Sequence, residues 1–211
     1  MRLPEPLKTV TGAIAAVTVL VSLLVFALGA INRAGQLLGF IPARLGGTLA
    51  LSPAVPALLT PLSATLVHGG WLHLAGNILM LMWCGLAVER ALGSRATLLL
   101  YLIGAYVAAA AQFFVAPHST SPVIGASGAI SALIGAFALS YGQQKTIVPS
   151  RTLNRWLNVA WLLVAWIFIQ LGFGYLMGQQ GMLLATPAHI GGFLAGLALQ
   201  RPLLLHHYRN A

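Results

Sequence analysis

Acid is almost absent from this chain. Its 211 residues include no aspartate and two glutamates, Glu5 and Glu89, against eleven lysines and arginines. Chemistry that needs two carboxylates sharing a proton is therefore excluded. Charge of either sign is scarce, at 6% of residues, where soluble domains carry about 25%. With 59% of residues hydrophobic, so little charge cannot cover a water-exposed surface, and lipid must be the solvent. Cysteine occurs once, as Cys84 in an apolar run. That rules out a disulfide framework and any paired-cysteine metal site, and leaves Cys84 as helix packing. The net charge of +9 does not point to nucleic acid. The basic residues are scattered between apolar runs and form no stripe with interleaved aromatics, so no nucleic-acid partner is expected.

What the chain has is long apolar runs. A bilayer-crossing helix needs roughly 20 mostly apolar residues. Six segments meet that, at about 10–30, 71–90, 96–116, 124–142, 156–177 and 185–205. The first follows Arg2 and Lys8 and resembles a signal peptide, but its apolar stretch exceeds the usual ~7–15 residues. We read it as a retained span. The stretch 31–70 is rich in Leu but broken by Pro42, Pro53, Pro56 and Pro61. Interior prolines remove helix hydrogen bonds, so it is read as a structured loop partly sunk in the outer leaflet. The expected fold is an all-α membrane protein, a six-helix bundle in one domain over 1–211.

Basic residues near helix ends mark the cytoplasmic side. With both termini inside, Arg2, Lys8, Arg90, Arg95, Lys145, Arg151, Arg155, Arg201 and Arg209 are inside, and only Arg33 and Arg44 are outside. The loops 117–123 and 178–184 contain no Lys or Arg. The opposite orientation inverts this distribution.

That topology gathers the polar residues of the spans. Ser127 and His189 each lie near the outer start of a span; a rise of about 1.5 Å per residue puts Ser127 roughly 5–10 Å below the outer boundary. His73 and Asn77 are four apart on the second span and share a helical face. Each has a plainer reading. Ser127 can bond back to its own helix, His73 and Asn77 can join helices, His68 can be interfacial, and Trp71 a belt aromatic. His189 is harder to set aside, because ionisable residues inside membrane spans are functional by default. Their common depth favours a site facing outward.

Elimination narrows its chemistry. No helix carries two histidines flanking a glutamate, which a zinc protease needs. Lys8 and Lys145 lie on the inner side, which removes a Ser-Lys pair. No acid is available for a full triad. Glu89 lies sixteen residues beyond His73, roughly 24 Å along the same helix at about 1.5 Å each. A Ser-His dyad remains, with Ser127 as nucleophile and His189 as its base. The Ser127 backbone N–H, His73 and Asn77 are candidate oxyanion donors. Gly125, Gly128, Gly192 and Gly196 leave the fourth and sixth spans thin, so that they can approach closely. The same glycines also read as ordinary packing residues.

Gly125-Ala126-Ser127-Gly128 resembles the GxSG motif of the rhomboid intramembrane serine proteases. Ala188-His189 with the glycines after it resembles that family's last-helix AHxxG motif. His68, His73 and Asn77 match its second-helix pattern at the same spacing, a resemblance that implies an oxyanion or supporting role for all three. Glu89-Arg90 with Leu92-Gly93-Ser94 resembles the inner end of that helix, where members carry a structural Glu. The resemblance implies six helices around a shorter fourth one and a cavity opening outward. It also implies substrates that are single-span membrane proteins, cut near the outer end of their helix, and no cofactor. A bacterial inner membrane, with the site facing the extracytoplasmic side, is the expected location.

Two departures stand out. The first loop reads Leu59-Thr60-Pro61-Leu62-Ser63 where members commonly carry a Trp-Arg pair. Ser131 stands four residues after the serine, where many carry an aromatic that stacks on the histidine. These leave room for a rhombosortase-like processing enzyme. A catalytically silent relative that binds membrane helices is the other alternative.

Overall fold

Apolar runs of this length can satisfy their backbone in lipid only as helices, and helix dominates the computed structural model. It describes residues 8–141, 146, 148–178 and 185–209; Arg2, Glu5, Lys145 and the loop 179–184 lie outside the described residues. The main elements are α1 (Val10–Ala27), α2 (Ile31–Leu38), α3 (Trp71–Leu92), α4 (Ser94–Val115), α5 (Ser127–Tyr141), α6 (Arg151–Gly178) and α7 (Thr186–His207). Among the described residues there is no strand, only an isolated antiparallel bridge between Phe40 and Val123.

Six of these helices stand where six spans are expected. Four of the six, α1, α3, α4 and the Arg151–Ile169 part of α6, are long and apolar enough to cross a bilayer. The fifth, α5, has 15 residues, about 22 Å at 1.5 Å each, against a hydrocarbon core of about 30 Å. The sixth, α7, has 22 residues but mixes Gln200, Arg201 and Pro202 into its C-terminal half. The helix α5 itself begins at Ser127, just inside the expected span of about 124–142. Gly125 has φ +112°, which helical geometry does not allow.

The stretch 31–70 is more helical than the expected loop. The prolines that forbid one long helix here start short ones. Pro42 and Pro61 sit in the first turns of Pro42–Leu45 and Thr60–Ser63, where a missing N–H costs nothing. The stretch is tied down by Ser63 Oγ donating to the Leu38 carbonyl (2.6 Å) and Arg44 Nη2 donating to the Val55 carbonyl (2.7 Å).

At the centre, α5 packs Ala129, Ile130, Ala132, Leu133 and Ala136 against Leu81, Val88 and Leu92 of α3 and Leu100, Tyr101 and Ala105 of α4. The outer faces carry exposed Leu20, Leu24, Trp83, Phe114, Trp156, Trp161 and Phe168. An apolar exterior of that extent is what a lipid-facing surface requires. Cys84 is buried and unbridged within α3.

Glu89 organises the other end. Its carboxylate accepts the N–H groups of Val10 (2.8 Å) and Thr11 (2.9 Å), the Thr11 hydroxyl (2.6 Å) and the Ser94 hydroxyl (2.7 Å). Thr9 Oγ1 takes the Gly12 N–H (2.9 Å). The first three N–H groups of α1 are thus all bonded, and an anion lies at the positive end of the helix. Glu89 joins α1, α3 and α4 and is remote from His189 in role.

Candidate active site

The segment leading into α5 is held before the helix starts. Phe40 and Val123 exchange both backbone hydrogen bonds (3.0 and 2.8 Å), and Gly125 N–H donates to the Ala64 carbonyl (2.9 Å). Gly125 turns the chain through positive φ, and a Cβ there would lie 2.7 Å from His73 Nε2. Only glycine fits. Ile130 N–H bonding to Ala126 (2.9 Å) is the first intrahelical bond of α5. The N–H groups of Ser127 and Gly128 therefore precede any intrahelical acceptor, at the end of a helix that favours negative charge.

Ser127 Oγ lies 2.6 Å from His189 Nε2 across 62 residues of sequence. Ser127 does not bond back to its own helix. Ser131 does so instead, donating from Oγ to the Ser127 carbonyl at 2.7 Å. Two glycines of α7 permit the approach. A Cβ on Gly192 would collide with the Gly128 carbonyl oxygen, and one on Gly196 with the Ala132 carbonyl oxygen. The α5 and α7 backbones are in direct contact at two levels, and His189 (4% exposed) is buried between them. One turn further along α7, Phe193 stacks on Trp166 of α6, with centroids 5.8 Å apart and planes 13° apart.

His73 Nδ1 accepts the Gly69 N–H at 3.3 Å. That assigns the proton to Nε2, the nitrogen that lies against Gly125. Asn77 Nδ2 donates to the His73 carbonyl at 2.9 Å; its second N–H is directed elsewhere, and Asn77 lines the same cavity as Ser127. His73, Asn77 and Ser127 thus bring N–H donors to one cavity.

His68 is not interfacial. It is fully buried, with Nδ1 3.0 Å from Ser22 Oγ and Nε2 accepting the Ala126 N–H at 3.4 Å. Its ring meets that of His73 edge-on, with centroids 5.0 Å apart. Trp71 is exposed at the start of α3 and packs on Phe26.

Ser127, His189, His73 and Asn77 share a cavity of about 900 Å³ walled by α3, α4, α5, α6 and the 119–125 segment. Two of its lining groups were not singled out in the sequence, Gln112 of α4 and Trp166 of α6. Gln112 Oε1 and Trp166 Nε1 are buried without a hydrogen-bond partner among the described residues. A glutamine near the C-terminal end of an apolar helix was the available signal for the first; tryptophan inside an apolar helix gives none. Among the described residues no group of three His, Cys, Asp or Glu gathers as a metal site would require.

Apolar helices enclosing a hydrogen-bonded serine and histidine define a helical membrane protein with a polar pair at its centre. A profile of the Rhomboid domain matches residues 56–206, and the chain belongs to the rhomboid family. It is an integral membrane protein. It is similar to the rhomboid protease GluP of Bacillus subtilis, 36% identical over 140 residues, 66% of this chain and 24% of the relative. RHOMBOID-like protein 4 of Arabidopsis thaliana is 32% identical over 148 residues, 70% of this chain and 34% of the relative. Rhomboid-related protein 2 of the mouse, Mus musculus, is 27% identical over 139 residues, 65% of this chain and 45% of the relative. The matches thus span less than half the length of each of these relatives.

Proposed function

We propose that this chain is an intramembrane serine endopeptidase acting through Ser127 and His189. The single observation that carries the reading is the 2.6 Å contact between Ser127 Oγ and His189 Nε2, at the wall of a cavity that also holds donors for an oxyanion. In the reaction His189 Nε2 takes the Ser127 proton as Oγ attacks a peptide carbonyl. The negative charge developing on that oxygen is met by the Ser127 N–H, His73 Nε2–H and Asn77 Nδ2–H. The imidazolium then returns the proton to the leaving amine, and water repeats the sequence to release the acyl group. The Ser127 contact and burial against α5 help to hold the His189 ring.

The substrates are single-span membrane proteins cut near the outer end of their helix, where the peptide bond can unwind into the cavity. Six helices cross the membrane, with both termini inside, in one domain over 1–211. The membrane is a bacterial inner membrane, and the site faces the extracytoplasmic side. The protease name of the GluP relative supports this activity. The intact Ser-His contact favours it over a catalytically silent helix-binding protein. The test is cleavage of a single-span reporter by the purified protein in lipid vesicles. Wild type cuts and Ser127→Ala does not; an intact reporter with folded wild-type protein overturns the reading.

A further inference from the structure

A chain of hydrogen bonds runs from α1 to the residue before the nucleophile. Ser22 Oγ donates to the Leu66 carbonyl at 2.9 Å, lies 3.0 Å from His68 Nδ1, and His68 Nε2 accepts the Ala126 N–H at 3.4 Å. Ser22 and His68 are both fully buried. The two ends fix the direction of every bond between them. A backbone N–H only donates and a carbonyl only accepts. Ala126 therefore requires a bare Nε2 on His68, and Leu66 requires the Ser22 hydrogen. Ser22 Oγ is then left to accept, so the proton on His68 must be on Nδ1. A neutral imidazole with the proton on Nδ1 is the one form that satisfies all three contacts.

We propose that Ser22, on α1, is a positioning residue for the Ser127 backbone amide, acting through His68. This rests on the proteolytic reading of Ser127. Without the Ser22 hydroxyl, His68 loses the acceptor that keeps its proton on Nδ1. The other tautomer sets Nε2–H against the Ala126 N–H, donor against donor, and pushes away the peptide that precedes Ser127. The amide of Ser127, one residue on, then leaves the line on which it meets the oxyanion. Ser22 lies outside residues 56–206, the part matched to the Rhomboid domain, so this link attaches the first helix to a site built by the others. The buried face of α1 agrees, since Thr11, Ala15, Thr18 and Ser22 follow helical spacing and are all buried.

Two measurements test it. In nitrogen-15 spectra of the histidine-labelled full chain in lipid, His68 shows the neutral form with its proton on Nδ1. Ser22→Ala removes that signature, while Ser22→Thr, which keeps a hydroxyl, retains it. In cleavage of the single-span reporter, Ser22→Ala lowers kcat about tenfold with KM changed less than twofold, and Ser22→Thr recovers most of the rate. A wild-type His68 protonated on Nε2, or folded Ser22→Ala with unchanged kcat, overturns the proposal. Absence of cleavage by wild type removes the proteolytic reading instead. The tautomer measurement on wild type is independent of that result and of how the variants fold.

Discussion

The carbonyl oxygen of Gly128 occupies the space a side chain on Gly192 would take. That contact lets α5 and α7 touch backbone to backbone, and it brings the Ser127 hydroxyl within 2.6 Å of the His189 ring. Gly192→Ala must push the helices apart. Overpacking costs about 1–3 kcal/mol where side chains can adjust, and a backbone oxygen adjusts less. The expected result is a lower unfolding midpoint in detergent together with loss of activity. Gly196→Ala, which meets the Ala132 carbonyl one turn further in, lowers stability similarly.

Ser127→Ala and His189→Ala each reduce cleavage by about 10³-fold or more, because the members of such a unit fail together. The double variant is expected to be no slower than either single one. Both variants should keep the wild-type unfolding midpoint within a few degrees. Labelling of wild type, but not Ser127→Ala, by a fluorophosphonate checks the same assignment without a substrate.

In the proposed mechanism Asn77→Ala removes a donor to the developing charge, and loss of one such donor costs about 10²–10³ in kcat. His73→Ala is expected to fall in the same range. KM should change little in either, since a ground-state carbonyl needs these donors less than the oxyanion does. An equal rise of KM with unchanged kcat would assign both residues to substrate binding.

Trp166 presents a buried indole N–H with no partner among the described residues. Trp166→Phe keeps the ring stacked on Phe193 and removes that hydrogen. If the indole N–H donates to a substrate carbonyl, KM rises several-fold with kcat nearly constant. Steady-state kinetics on a reporter peptide in lipid decides this.

Glu89→Gln tests the anchorage of the α1 N-terminus. Hydrogen bonds to a charged group contribute about 1.5–3 kcal/mol each, and Glu89 receives four. The substitution removes the charge at the α1 N-terminus and is expected to lower the unfolding midpoint. Folded Glu89→Gln protein should retain a normal Ser127 labelling rate, since Glu89 makes no contact with the site.

Polar side chains in apolar runs were the legible part of this protein. Ser127, His189, His73 and Asn77 stand out because lipid gives such groups no partner, and the structure brings them to one cavity. Small hydroxyls are less legible. Ser22 looks like any helix serine that bonds to its own backbone, although its spacing from Thr11 and Thr18 marks a buried polar stripe. The burial of His68 was hidden because it precedes a span and reads as interfacial; the fold covers it with α1 and the Ala126 segment. The start of α5 was hidden for a different reason. It depends on the positive φ of Gly125, which hydropathy does not record. In the 31–70 stretch, prolines were read correctly as breaks in a long helix, but not as the starting points of short ones.

Hydrolysis has two reactants, and in a bilayer the scarcer one is water. The 15 residues of α5 leave it about 8 Å short of the hydrocarbon thickness. In the proposed orientation that shortfall lies at the outer end, where Ser127 begins the helix. In the proposed mechanism solvent descends to the nucleophile from above, so the second reactant arrives by a route separate from the lipid-borne one. The length of one helix thereby sets the depth of an aqueous well, and with it the depth at which a peptide bond can be cut. Lengthening α5 by a turn would leave the serine chemically intact and deprive it of its co-substrate.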